Sequence, residues 1–483
     1  KALLAAGVAA VAGVLVPLQM VSQTWDDHDR SGRYTTRDFG MNYLSSVDPN
    51  GIIFTNGDND TFPLWYAQEV EGYRTDVRVV NLSYLTTDWY AHQMQVATDG
   101  AQGIPVSAKP ADYAYDRLQY SFFDPENMSQ EEVSAATALD DLYRNPQATY
   151  NGSRVMRYPL LYIPSDAAAA AKAGVIEQRE IPAAEEAIRI DLLNDPYNTS
   201  GGVTLSQALS LDMINTQAQN GWNRPAYFAM TVPDEYYLSM GPYMRNTGLA
   251  YQVTPLRNPE PSEAGKRPWT ATDKMYRNVT EKFRWGGLDK VKDGGDIYLD
   301  ETVRRMVTTH RSAMADLAGA LYLEGYDATH RADSLGNELP VTEADRKFAA
   351  DRYSKALTVL DLIGEKLPTS VAPYAIQIGE QIARTYIQLA DVTGNDALRK
   401  KGLAILHDEI VRYGAYLPYF KELRKTLPGS GFSGLTGADR FVPSYLYYLL
   451  EDYVQAGGDT DAVQKELIRK GIDINELEDY LRN

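Results

Sequence analysis

The chain has 483 residues, with 65 acidic against 47 basic for a formal charge of -18, and it contains no cysteine. A length beyond roughly 300 residues exceeds what one hydrophobic core serves, so more than one domain is expected. The charge argues against a nucleic-acid role, and the lack of cysteine excludes thiol catalysis, cysteine zinc sites and iron–sulfur clusters while fitting an oxidising compartment without disulfides.

Residues 2–21 carry no charge, and Pro17 and Gln19 lie near the far end of the run. An apolar stretch of about 18 or more positions can cross a hydrocarbon core as a helix, so residues 1–23 are read as a transmembrane helix closing a membrane domain. The alternatives are a buried core helix and a cleaved signal peptide, but Val16-Pro-Leu-Gln-Met-Val-Ser supplies no small-residue cleavage motif. Lys1 flanks one end and Asp26, Asp27 and Asp29 the other, which places Lys1 in the cytoplasm and everything after Trp25 outside. The chain opens at Lys1 without Met, so further sequence upstream is expected.

Asp27, His28 and Asp29 have metal-ligand chemistry, yet adjacent residues in an extended segment point to alternate sides. A solvated interfacial linker with Trp25 at the headgroups is the competing reading. Arg30, Arg33 and Arg37 are placed to meet either lipid phosphates or acidic loops.

Next comes a short helix over residues 35–44, then Ile52-Ile-Phe, β-branched and aromatic, which stops at Asn56-Gly57. Leu64, Ala67, Gln68 and Glu71 recur at helical spacing, predicting a helix over 61–72, and residues 77–82 form the next strand. Strand, loop, helix, strand implies a parallel sheet. Further strands are predicted at 157–163, 187–192, 225–231 and 248–255, with helices at 87–98, 205–220 and 234–247. The pattern is that of an α/β Rossmann-like domain with a mostly parallel sheet over residues 24–262. Residues 101–151, rich in Tyr, Asp, Pro and Asn, read as an insertion over one face, with a helix at 129–143.

Ligands of open α/β sheets sit beyond the carboxyl ends of the strands, where Asp58, Asn59 and Asp60 fall. Their oxygens suit a hard cation or sugar hydroxyls, although no EF-hand consensus surrounds them. The structural alternative is that Asp60 or Thr61 caps the helix, with Pro63 tolerated in its first turn. Other chemistry is not spelled out. The five histidines are scattered and form no His-x-x-x-His pair, and Gly-x-Ser-x-Gly is missing. The first βα turn lacks the Gly-x-Gly-x-x-Gly fingerprint, and Gly429-Ser-Gly-Phe-Ser-Gly lacks the Lys of a phosphate loop. No catalytic residue, metal site or cofactor is assigned. Tyrosine is abundant, 34 against 11 Phe and 6 Trp, and suits sugar and peptide surfaces as well as partly buried positions.

Prolines and charges from Arg257 to Pro268 replace periodicity and mark a domain boundary. Residues 263–483 then read as helical, with helices over 301–325, 342–365, 371–394, 396–414 and 443–457. Phe348, Tyr353, Ala356, Leu357 and Leu360, followed by Leu367-Pro368, suggest a tetratricopeptide-like module, although the proline comes late for the 34-residue register. A plain helical bundle is the alternative.

Several long motifs resemble one family. They are Asp26-Asp-His-Asp-Arg-Ser-Gly-Arg-Tyr, Asn56-Gly-Asp-Asn-Asp-Thr-Phe-Pro-Leu-Trp-Tyr-Ala-Gln-Glu, Asp76-Val-Arg-Val-Val-Asn-Leu-Ser and Thr87-Asp-Trp-Tyr, with Phe283-Arg-Trp-Gly-Gly-Leu-Asp and Asp296-Ile-Tyr-Leu-Asp later on. They are similar to the extracytoplasmic C-terminal region of Gram-negative multi-pass membrane proteins, a domain of unknown function. Those proteins look like GT-C type glycosyltransferases related to an animal transmembrane O-mannosyltransferase.

The resemblance implies an inner-membrane protein whose soluble part is periplasmic. Its sugar would come from a polyprenyl-phosphate donor in the membrane bundle, and its catalytic acid would lie in an upstream loop outside this chain. The soluble part would then present a protein or glycan acceptor, and Asp88 and Trp89 join Asp58, Asn59 and Asp60 as candidate ligand-binding residues. The alternative is a non-catalytic envelope scaffold that binds a protein partner.

Overall fold

A computed structural model describes residues 1–29, 31–115, 117–124, 126, 128–150, 152–258, 269–293, 297, 299–332, 337–419, 422 and 442–472. The first helix, Ala2–His28, is exposed along its apolar length, and its segment Ala2–Trp25 has a mean hydropathy of 2.1 with none of it buried. By length and composition it can cross a membrane, as an anchor or a signal sequence does. The helix continues past the expected end of the span. His28 is therefore helical, not extended, and its Nδ1 bonds the Thr24 carbonyl at 2.9 Å, while Asp29 accepts from Ser31. Of the three arginines, Arg37 pairs with its neighbour Asp38 at 2.7 Å, and Arg30 lies outside the described residues.

The central sheet has six strands, in the order Trp269–Thr270, Met244–Asn246, Ala250–Val253, Ala226–Ala229, Ile52–Thr55, Arg78–Asn81. Ile52–Thr55 runs parallel to both neighbours, with Ile53 opposite Val79 on one side and Tyr227 on the other. All four of its residues are buried, as expected of a strand covered on both faces. Ala250–Val253 then pairs antiparallel with Ala226–Ala229, and Met244–Asn246 antiparallel with Ala250–Val253. Helix Thr35–Ser45 packs on helix Asp58–Glu69 at Gly40, where a Cβ would stand 2.2 Å from the Pro63 carbonyl oxygen.

The sheets are mixed, which corrects the expectation of one mostly parallel layer. Leu160–Pro164 and Ala187–Asp191, expected in the central sheet, pair antiparallel in a separate three-stranded sheet with Val133–Ser134. Their burial alternates, Ile188 and Ile190 inward and Arg189 outward, which is the period of a half-covered antiparallel strand. A four-stranded sheet joins Thr149–Tyr150, Ser153–Val155, Tyr120–Phe122 and Gly202–Thr204.

The helix expected over 234–247 is absent. Short 3₁₀ turns at Asp234–Tyr237 and Gly241–Tyr243 lead into strand Met244–Asn246. Leu238 and Ser239 at positive φ, followed by Pro242, interrupt any helical ladder. The helix expected over 129–143 starts later, as Ala135–Arg144, because Ser134 caps it by accepting from the Thr137 N–H.

Beyond the sheet the chain is helical: Glu301–Thr329, Glu343–Lys366, Ile378–Thr393, Asp396–Gly414, Val442–Gln455 and Thr460–Arg469. The first two are antiparallel. Gly325 meets Tyr353 near one end, and Arg311 reaches the Leu367 and Ala372 carbonyls near the other. A single buried apolar core runs from Phe39 in the sheet region to Leu398 among the helices, and a second gathers Leu406, Leu446 and Leu467. Most of the expected boundary at 257–268, and Gly429-Ser-Gly-Phe-Ser-Gly, lie outside the described residues.

Candidate functional site beyond the central strands

From Ile52–Thr55 the chain crosses to Arg78–Asn81 on one side, while the strand on the other side, Ala226–Ala229, arrives from much later in sequence. Strand order thus reverses at Ile52–Thr55. Connections part beyond the carboxyl end of such a strand, and the crevice left there is where open α/β sheets take ligands.

Gly57, at φ 79, turns the chain from strand to helix in a conformation that favours glycine, and helix Asp58–Glu69 begins at once. Asp58, Asn59 and Asp60 are its first turn, not a loop. Neither Asp60 nor Thr61 caps the helix, because Gly57 is the N-cap and makes no side-chain cap bond. Carboxylates in this first turn are favoured by the helix dipole.

The three residues part company. Asp58 and Asn59 are exposed, whereas Asp60 is buried and its Oδ2 accepts from the Thr231 hydroxyl at 2.6 Å. Tyr43 Oη lies 3.3 Å from Thr231 Oγ1. Because the Thr231 proton is committed to Asp60, the Tyr43 hydroxyl donates to Thr231, giving a relay from Tyr43 to Asp60. Burial pushes the Asp60 carboxyl above its ordinary value against the Thr231 hydrogen bond, and burial, then the Asp60 charge, pushes Tyr43 well above the usual phenol range. Thr61 is structural: it donates to the Gly57 carbonyl at 2.7 Å and accepts from Asn81 Nδ2 at 2.9 Å.

Asp88 opens helix Asp88–Gln95 and accepts from the Trp89 N–H. Trp89 is 57% exposed and ends a row of aromatic rings that the sequence reading missed. Phe62 stacks on Trp65 with centroids 5.6 Å apart, Trp65 on Tyr84 at 6.2 Å, and Tyr84 meets Trp89 at 6.3 Å. Phe62 stands four residues after Asp58 and three after Asn59 in one helix, so these side chains share a face. The spacing of Phe62 and Trp65 was the available signal.

The structure therefore brings Asp58, Asn59, Asp88 and Trp89 to an exposed aromatic surface and withdraws Asp60 into the floor. Among the described residues no group of three or more His, Asp or Glu side chains gathers so as to hold a metal ion. Acceptor oxygens beside flat aromatic faces suit a polyhydroxylated or peptide ligand, whose polar edges hydrogen-bond while its apolar faces stack.

Residues 36–271 match the family model described as TMEM260-associated domain 2, which links this part of the chain to the TMEM260 family. No curated protein and no solved structure matches the chain.

Proposed function

We propose that the chain is the extracytoplasmic region of a membrane glycosyltransferase-like protein of the GT-C type. It presents a protein or glycan acceptor to a catalytic site in the membrane. The observation that carries this reading is the TMEM260-associated match over residues 36–271, since the TMEM260 family is an animal O-mannosyltransferase family. The apolar helix Ala2–Trp25, exposed along its length, supports membrane attachment. In this reading the region is periplasmic in a Gram-negative cell, its sheet is a Rossmann-like module, and its helical pairs are a tetratricopeptide-like module. Asp58, Asn59, Asp88 and Trp89 hold the acceptor with Asp60 supporting them from below, and the sugar comes from a polyprenyl-phosphate donor held outside this chain.

The second reading, a scaffold that binds an envelope protein, is favoured by exposed aromatic residues on the helical part, where Tyr447 and Tyr448 are 47% and 53% exposed. Glycoproteomic mass spectrometry of envelope fractions from cells with and without the gene separates the two. Loss of a defined glycan supports transfer. An unchanged glycome overturns it and leaves the scaffold.

A further inference from the structure

A cavity of about 340 Å³ opens beyond the amino end of Ile52–Thr55, away from the candidate site, between Asp48, strand Trp269–Thr270 and helix Thr272–Arg277. Its floor is a partly buried polar cluster. Lys274 Nζ donates to Asp48 Oδ2 at 2.5 Å, to Gln252 Oε1 at 2.9 Å and to Tyr227 Oη at 3.2 Å, which occupies all three ammonium protons. Tyr227 and Gln252 are themselves buried.

Helix Thr272–Arg277 runs directly into a π-helical turn over Asn278–Lys282, where the Phe283 N–H reaches back to the Asn278 carbonyl at 3.0 Å. Such turns are rare and concentrate at functional sites. Arg277 precedes this turn and Lys282 ends it, and both line the cavity with Lys274.

The acids around them are already engaged. Asp48 holds Lys274, Glu180 holds Arg245 at 2.5 Å, Glu177 holds Arg179 at 2.6 Å, and Asp273 is shared by Arg352 and Lys355. Glu324 accepts from Thr272 and faces Arg352. Arg277 and Lys282, both exposed, have no hydrogen bond or ion pair among the described residues. The three cations are close enough to oppose one another. After burial and the compensating Asp48, the charges of Lys282 and Arg277 press the Lys274 pKa down. In a chain of formal charge -18, Arg277 and Lys282 thus stand without an acidic partner among the described residues.

We propose that this cavity binds the phosphate group of a small phosphorylated ligand, gripped at the mouth by Arg277 and Lys282. A guanidinium fork and an ammonium together match a multiply charged tetrahedral oxyanion. The volume falls in the range of small-molecule pockets, roughly 300–1,000 Å³, and so admits an organic body as well as the phosphate. Trp269, 46% exposed at the same cavity, offers that body an aromatic face.

The test uses the full chain in detergent micelles, titrated calorimetrically with inorganic pyrophosphate at fixed ionic strength against chloride. A parallel arm measures binding to vesicles of phosphatidylcholine with and without phosphatidylglycerol. The expected result is saturable pyrophosphate binding that weakens at least tenfold in Arg277→Ala/Lys282→Ala and is retained in Arg277→Lys/Lys282→Arg, with unchanged melting temperatures. That outcome identifies a soluble phosphorylated ligand. The same loss with phosphatidylglycerol vesicles alone supports the phosphate site and assigns a lipid headgroup as its source. Equal binding by wild type and the alanine variant in both arms, or no saturable binding in either, overturns the proposal.

Discussion

Asn42 and His310 are joined by a buried hydrogen bond whose direction is fixed, with Nδ2 of Asn42 lying 2.8 Å from Nε2 of His310. The same amide donates to the Arg284 carbonyl and accepts from the Arg284 N–H, both at 2.8 Å. On the other side of the imidazole, Nδ1 lies 2.8 Å from the Met306 carbonyl oxygen. A carbonyl only accepts, so the ring proton sits on Nδ1 and Nε2 accepts from Asn42. The network assigns the neutral tautomer. Helix Thr35–Ser45 is thereby pinned to helix Glu301–Thr329, and the sheet region is tied to the helical region by an uncharged contact.

The first prediction concerns pH. Burial holds the His310 pKa down at about 4, against the Met306 hydrogen bond, whereas the unfolded chain takes up a proton near the ordinary value of 6.5. Between these values the unfolded state binds more protons than the folded one, so stability rises with pH. The contribution is complete above pH 6.5 and is lost as pH falls toward 4, a span worth up to about 3 kcal/mol. Denaturant unfolding at pH 7 and pH 5 is expected to show this fall in the wild type and a shallower one in His310→Gln. Identical slopes would remove His310 as the sensor.

A second tie is ionic and loses its stability in the same direction, as pH falls, but in a more acidic window. Arg352, buried on helix Glu343–Lys366, grips Asp273 with both terminal nitrogens and, with Lys355, holds that carboxyl far below the usual carboxylate range. The resulting stability is present above the unfolded carboxylate value of 3.8 and is lost as pH falls below it. Arg352→Met leaves Asp273 and Glu324 without this partner and is expected to cost about 3 kcal/mol. It also flattens the decline in stability below pH 4. A variant with an unchanged unfolding midpoint at pH 7 would show that the pair contributes nothing net.

Sequence patterns reached different depths in different parts of the fold. Ile52-Ile-Phe was legible because a strand buried on both faces is a continuous apolar run, and the helices after residue 300 were legible because their spacing persists over several turns. The alternation in Ala187-Ile-Arg-Ile-Asp was also visible, and it signalled a half-covered antiparallel strand, yet order along the chain alone placed it in the parallel layer. Strands of two or three residues such as Val133–Ser134 and Trp269–Thr270 carry no period and exist only because a longer neighbour offers them an edge. At the candidate site, Asp58 and Asn59 were recognisable from their place after a strand. The burial of Asp60 was not, because it depends on Thr231, 171 residues away, and on Tyr43. The ring row likewise joins Phe62 and Trp65 of one helix to Tyr84 and Trp89 of the next segment only after folding.

Gly40 tests how closely the two helices over the central sheet must approach. A Cβ there would lie 2.2 Å from the Pro63 carbonyl oxygen, which is backbone and has no rotamer by which to retreat. Gly40→Ala is expected to destabilise by about 1–3 kcal/mol through forced separation of the helices, even though alanine is the better helix former. The denaturant midpoint gives the answer. A stabilised Gly40→Ala would mean that the helices part at no cost.

The last prediction separates recognition from support at the candidate site. Asp58 and Trp89 are exposed, so Asp58→Ala and Trp89→Ala are expected to leave the melting temperature unchanged while each weakens acceptor binding about tenfold, or about 1.4 kcal/mol. Asp60 is different because its carboxylate accepts the Thr231 proton. Asp60→Ala leaves that hydroxyl without its acceptor, at a cost of about 1–2 kcal/mol in stability, whereas Asp60→Asn keeps a carbonyl oxygen in place and costs less. Calorimetry with a glycan or glycopeptide acceptor, paired with thermal unfolding of each variant, distinguishes the two roles. Undiminished binding in Asp58→Ala and Trp89→Ala would dismiss the aromatic surface as the acceptor site. Equal stability of Asp60→Ala and Asp60→Asn would show that the relay from Tyr43 through Thr231 does not support it.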